Sequence, residues 1–289
     1  MVQQPSTQTV LITGANSGIG QAAATDLARR GWRIFATARS SERGQAALEQ
    51  IRAESGSERV ELLQLDLASF NSVREAADEL LSRTESLDVL INNAGVNLAE
   101  RSLTEDGLEA TMQINHFGHF LLTSLLLPRM LESEDPRVVN VSSMLYKRAG
   151  AMPLDDLQLE HNWGRIRPYA VSKLANILFT RGLHRRYFPQ RLATFAVHPG
   201  GVRSRLGADG DTTGIRALTW RLIQPLLLSS ERGAAPIVAA AHERSLRIVA
   251  GAYFHRHNVQ QLNQHANDVS AADRLWEASN ELTQAEWPD

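Results

Sequence analysis

The chain has 289 residues, 43% of them hydrophobic and 21% charged, which puts it in the ordinary globular range with enough apolar material for one substantial core. Its 30 basic and 32 acidic residues nearly cancel, so no global field gathers nucleic acid or anionic lipid, and a small partner is expected. Cysteine is absent, which removes disulfides, thiolate metal sites and a cysteine nucleophile together.

The first eight residues are polar and lead straight into an apolar run, without the basic start and apolar middle of a secretory signal, so cytoplasmic residence is expected. The longest apolar stretches, such as 121–127 with Thr123 and Ser124 inside it, fall well short of the ~20 residues needed to cross a bilayer, and no membrane span is expected.

Short runs rich in valine, isoleucine and leucine recur between longer segments of helical period, the pattern of an α/β protein built on a buried parallel sheet. The runs predict seven strands, at 9–13, 33–38, 60–65, 87–92, 137–142, 193–198 and 248–254, doubly wound with helices on both faces. The first helix spans 18–30 and stops at Gly31, where glycine takes the left-handed conformation that closes a helix. No repeat and no glycine- or proline-rich linker divides the chain, so 1–289 reads as one domain. Two irregular stretches, 149–168 and 200–214, follow the carboxyl ends of strands, the edge at which open α/β sheets bind ligands.

The first strand runs through Thr13-Gly14-Ala15-Asn16-Ser17-Gly18-Ile19-Gly20 into a helix, the context a dinucleotide-binding glycine turn requires. Gly14 permits the tight turn, Gly18 the close approach of backbone to pyrophosphate, and Gly20 the packing of helix on strand. Asn16, Ser17 and Ile19 complete the turn, and the helix N-terminus favours negative charge. After the second strand stands Arg39, with no carboxylate before it to bind a ribose 2′-hydroxyl; a guanidinium there favours a 2′-phosphate and hence NADP(H) over NAD(H). Asp66, after the third strand, and Asn92-Asn93-Ala94-Gly95, after the fourth, lie on the same edge; by themselves they read equally as a helix cap and a turn.

Tyr169 and Lys173 are four residues apart in a segment of helical period and so share one helix face. A phenol of ordinary pKa near ~10 is a poor base at neutral pH, and a neighbouring ammonium brings the phenolate closer to the working range.

These features, with NHFGHF at 115–120, NVSS at 140–143, YAVSK at 169–173 and HPGGV at 198–202, resemble the short-chain dehydrogenase/reductase family over nearly the whole length. Within it the chain looks closest to the retinol-dehydrogenase-like and WW-domain oxidoreductase-like branch, from QINHFGHFLLT, SKLANILFTRGLHRR and Ala272-Asp273-Arg274-Leu275-Trp276. The resemblance implies a Rossmann fold and hydride transfer between NADP(H) and a carbonyl or alcohol, as in a carbonyl reductase. It implies Tyr169 as general acid or base, Lys173 also holding the nicotinamide ribose, Ser143 stabilising charge on the substrate oxygen, and Asn115 holding a proton-relay water. It further implies that Asp66 and Leu67 meet the adenine and that Asn93, Ala94 and Gly95 border the adenosine side. Pro199, Gly200 and Val202 border the nicotinamide, and pairing as a homodimer or homotetramer is expected.

Two departures stand out. Ser143 and Tyr169 lie 26 positions apart, so the segment between them must loop out, and Arg203-Ser204 stands where the family usually has threonine after HPGGV, which leaves Ser204 as the donor to the cofactor. Met144, Leu145 and Trp163, with Leu206, Trp220 and Leu222 in the second region (200–228), read either as an apolar substrate cover or as packing. The nine histidines lack a convincing ligand spacing, and no metal is expected. The competing function is a non-catalytic NADP(H)-binding regulator or scaffold on the same fold.

Overall fold

The computed structural model describes residues 7–202 and 227–289. Strands β1 (Thr9–Ile12), β2 (Arg33–Ala38), β3 (Val60–Gln64), β4 (Val89–Asn92), β5 (Arg137–Val141), β6 (Ala193–His198) and β7 (Tyr253–His255) are parallel neighbours in the order β3-β2-β1-β4-β5-β6-β7. Every residue of β1, β4, β5 and β6 is buried, because helices cover both faces, and this is why those strands read as unbroken apolar runs. One face carries α1 (Gly18–Arg29), α2 (Ser41–Ser55) and α7 (Ser230–His242). The other carries α3 (Phe70–Arg83), α4 (Ala110–Met112), α5 (Gly118–Leu131), α6 (Arg167–Tyr187) and α8 (Val269–Thr283).

The seven-stranded reading needs two corrections. Among the described residues the sheet has eight strands, the last being β8 (Asn258–Val259), which pairs antiparallel with β7 and is too short to announce itself by periodicity. The seventh strand also begins later than 248: residues Arg244–Val249 form a 3₁₀ turn and Ile248 is 91% exposed, so its β-branched side chain is not part of the sheet.

Local chemistry explains most boundaries. α1 gives way at Gly31, whose φ of +87° supplies the left-handed residue expected there. Ser40 and Ser69 accept hydrogen bonds from Arg43 N and Ser72 N to cap α2 and α3. Between α4 and α5, Gln113–Phe117 make a π-helical turn in which Gly118 N–H donates to Gln113 O. The segment 149–166 holds no helix or strand, as expected of the looped-out stretch before α6.

The strongest cover on the second face comes from far along the chain. Trp276 of α8 meets Phe120 of α5 edge-on at 5.1 Å and Phe179 of α6 at a tilt at 5.9 Å, and Trp287 adds contacts at 4.9 Å to Phe120 and 4.3 Å to Trp276. Arg186 lies 4.3 Å over the Trp276 ring, and Tyr187 donates its hydroxyl to Pro288 O at 2.9 Å. Trp163 packs on this same core, reaching Glu109 Oε1 at 3.5 Å, so of its two readings the structure favours packing. Trp276→Ala, which empties a site that is 6% exposed, is expected to cost ~3–5 kcal/mol, read as a lower midpoint in urea unfolding.

Candidate active site

Strand order reverses between β1 and β4, and the crevice this leaves at the carboxyl ends of the strands is a cleft of about 1200 Å³. Its floor begins with the glycine turn. Gly14 (φ +64°) and Gly18 (φ +57°) occupy backbone conformations that side chains disfavour. A Cβ on Gly20 would stand 2.5 Å from both Gly14 O and Asn93 Nδ2, so the helix fits against the turn only without a side chain. Ser17 precedes α1 without capping it, which leaves the first amides of the helix facing a wall that also includes Asn16, Ser17 and Ile19. This cradle fits the pyrophosphate of a dinucleotide.

The adjoining wall takes one contribution from each strand end. Arg39 lines the cleft after β2, joined by Ser40 and Arg43 from the start of α2. Asp66 and Leu67 line it after β3; the α3 cap is Ser69, while the Asp66 carboxylate accepts Ala68 N at 2.9 Å. After β4, Asn93, Ala94 and Gly95 face the cleft, and Asn93 Nδ2 donates to Thr13 O at 2.8 Å. Asn92 points the other way, donating to Asn140 Oδ1 at 2.8 Å and Thr123 Oγ1 at 3.1 Å inside the protein. After β6, Pro199, Gly200 and Val202 line the far end, whereas Ser204, Leu206, Trp220 and Leu222 lie outside the described residues.

At that far end Ser143, Tyr169 and Lys173 converge despite the 26-residue separation of serine and tyrosine. The Tyr169 phenol is pushed above its ordinary pKa by burial, with the Ser143 hydroxyl working the other way. Lys173 is buried, and loss of hydration lowers it from 10.5 to about 8. Its Nζ donates to Val141 O at 3.1 Å and stands 5.4 Å from the centre of the Tyr169 ring. Burial is the largest influence on the phenol, and at neutral pH the group at this end of the cleft is a protonated tyrosine.

Asn115 is placed differently from these three. It sits in the π-helical turn, fully buried and behind the cleft wall. Its Oδ1 accepts Val96 N at 2.7 Å, and its Nδ2 donates to Val96 O at 2.9 Å and Ser172 Oγ at 3.0 Å. Gly95 is the point of closest approach: a Cβ there would lie 3.3 Å from both Asn115 Oδ1 and Lys173 Nζ.

Several lining residues escaped the sequence reading. His198, at the end of β6, is held near pKa 4 by burial, His255 and Arg256, and it stacks on His255 at 4.8 Å. The HPGGV motif was its only signal. Leu98, Ile114, Arg165 and Leu227 also face the cleft from segments with no distinguishing pattern. Met144 and Leu145 also line it. Among the described residues no cluster of three His, Asp or Glu side chains is arranged to hold a metal, and no helix is long and apolar enough to cross a membrane.

The family profile described as "short chain dehydrogenase" matches residues 8–213. The chain belongs to the short-chain dehydrogenase family. Retinol dehydrogenase 12 of Homo sapiens is 40% identical over 286 residues, covering 99% of this chain and 89% of that protein. Dehydrogenase/reductase SDR family member 13 of Bos taurus is 42% identical over 281 residues, covering 95% of this chain and 73% of its own length. A crystal structure of a protein from Mycobacterium Paratuberculosis superposes with a TM-score of 0.78 at 34% identity, covering 98% of this chain and 95% of that one. This short-chain dehydrogenase is thus an oxidoreductase of the retinol-dehydrogenase-like branch, whose family uses NAD(H) or NADP(H) on small molecules.

Burial of Lys173 carries a stability signature. From about pH 8 to 10.5 the unfolded chain holds the lysine proton and the folded one does not, so this group makes stability rise with pH across that window. Lys173→Met is expected to lack the rise and to be no less stable than the native chain at neutral pH, because Asn176 Nδ2 also donates to Val141 O, at 3.1 Å. Urea unfolding of both proteins at about pH 7 and about pH 9.5 checks this.

Proposed function

We propose that this short-chain dehydrogenase is an NADP(H)-dependent carbonyl reductase or alcohol dehydrogenase acting on an apolar substrate, with Tyr169 as the proton donor. The observation that carries the reading is the arrangement of one continuous cleft, with a pyrophosphate cradle at Gly14–Gly20 and the Ser143, Tyr169 and Lys173 side chains at the other end. A bound nicotinamide supplies the hydride equivalent in such a site. The protein's own part is positional and acid–base. Tyr169, protonated at neutral pH, gives its proton to the substrate oxygen as negative charge gathers there, and the Ser143 hydroxyl donates a second hydrogen bond to the same oxygen. The Lys173 ammonium stabilises the phenolate that remains, and Asn115 holds the Val96 backbone and Ser172 in place beside it.

Preference for NADP(H) rests on Arg39, with Arg43 adding a second cation on the same wall. Preference for an apolar substrate rests on Leu98, Met144, Leu145 and Leu227 around the cleft, and agrees with the retinol in the names of the relatives.

Two expectations test the reading. Tyr169→Phe, which keeps the ring and removes the hydroxyl, should retain NADPH binding and lose turnover of an apolar aldehyde by ~10² to 10⁴, measured as NADPH oxidation. Arg39→Ala should lower kcat/KM for NADPH by roughly tenfold to a hundredfold while changing that for NADH little, at fixed ionic strength. Equal losses with both cofactors, or native preference for NADH, would place the discrimination elsewhere.

A further inference from the structure

Behind the cleft lies a buried histidine that the mechanism above does not use. His119, in the first turn of α5, is 1% exposed, and burial, aided by the Lys173 charge and opposed by the bond to Asn115 O, holds its imidazole near pKa 3, so the ring is neutral and carries one proton. Nδ1 lies 3.2 Å from Asn115 O, and Nε2 lies 2.9 Å from Thr13 Oγ1. A carbonyl only accepts, so the proton is on Nδ1, and Nε2 is the acceptor. The Thr13 hydroxyl therefore gives its hydrogen to His119, and its oxygen keeps both lone pairs for the two amides that point at it, Asn93 N and Ala94 N, each at 2.9 Å. The one alternative acceptor for that hydrogen, Ile91 O, is 3.4 Å away and already accepts Thr13 N and Asn93 N, each at 3.0 Å. Every hydrogen-bonding position on the hydroxyl and on the ring is then filled.

The geometry of the network joins two regions that the chain itself does not. Thr13 is the last residue before the glycine turn, and its partners Asn93 and Ala94 form the opposite wall. Asn115 fixes Val96 and, through Ser172, the head of the helix bearing Tyr169 and Lys173. We propose that His119 is a positioning residue that sets the spacing between the cofactor cradle and the proton-transfer end of the cleft, through its two bonds to Thr13 and Asn115. The Asn115 bond anchors the ring within its own helix, and the Thr13 bond reaches across to β1 and β4. The consequence for cofactor binding rests on the reading of this cleft as a dinucleotide site; the network itself does not.

The two bonds can be separated by substitution. In His119→Gln the terminal oxygen can take the place of Nε2 and still accept from Thr13, whereas the shorter side chain of His119→Asn can reach only the Asn115 carbonyl. NADPH affinity by fluorescence, melting temperature, and amide hydrogen exchange at Asn93 and Ala94 are to be measured on both variants. His119→Gln is expected to bind NADPH within about threefold of the native chain and to keep both amides protected, while His119→Asn binds about tenfold more weakly and exchanges the Ala94 amide faster, the Asn93 amide keeping its second acceptor, Ile91 O, at 3.0 Å. A histidine that merely fills space would lower the melting temperature of both variants alike and leave affinity and the two amides unchanged, and that result overturns the proposal. If His119→Asn does not fold, His119→Leu, which fills the same space with neither bond, must reproduce its weaker binding and faster exchange, and native-like behaviour of that variant overturns the proposal as well. Should the native chain bind neither NADPH nor NADH, the dinucleotide reading fails, and exchange at Ala94 alone decides the role of His119.

Discussion

Two neighbouring parallel strands can be joined only by a chain that crosses back over the sheet, and from β1 to β6 every such return is made through helix. All the carboxyl ends therefore share one edge. The residues leaving them, from the glycine turn after β1 to Pro199 and Gly200 after β6, meet there although the chain places them up to nearly two hundred positions apart. Only Tyr169 and Lys173 are close in sequence for a local reason, the turn of a helix. Reversal of strand order at β1 and β4 parts the helices above this edge, and the cleft is the gap so formed.

What keeps that edge in register is a polar seam beneath it. Asn92 on β4 donates to Asn140 on β5, Asn140 donates to Thr180 on α6, and Thr180 gives its hydrogen to Asn176 O. Val141 O, at the end of β5, accepts from both Lys173 and Asn176 on α6. Buried amides and hydroxyls lose water on folding, so an arrangement in which strand or helix slides by one residue would strand several of them at once. Packing alone would tolerate such a slip far better. The same logic accounts for Arg137, 1% exposed at the start of β5, which pairs with Asp135 at 2.7 Å and donates to Ala240 O and Glu243 O at the end of α7.

The parts of this plan that depend on local pattern could be read from the sequence. Strands β2 and β6 fall on the residues expected, and β1, β3, β4 and β5 differ by one or two at an end, because buried strands are continuous apolar runs bounded by turns. The glycine turn and the placement of Ser143, Tyr169 and Lys173 in one cleft were equally legible, the former through backbone constraints and the latter through motif. Other features depended on partners distant in sequence. Asn115 carries the right side chain, but whether it faces a cleft or a backbone is decided by one π-helical turn that periodicity does not encode. The apolar pair Ile248 and Val249 has strand propensity yet lies outside the strand, and the raised phenol of Tyr169 reflects burial, a property of the assembled site.

The aromatic cluster on α5 and α6 has a consequence for synthesis. Phe120 and Phe179 are made early, but Trp276 and Trp287, which roof them, come about a hundred residues after α6 ends. At typical elongation of ~5–20 residues per second, that face stays unroofed for roughly 5 to 20 s. During that interval the nascent chain presents a patch of leucine and phenylalanine suited to chaperones and to other unfinished copies. The yield of native protein is accordingly governed by how fast the closing segment arrives as well as by how stable the closed form is.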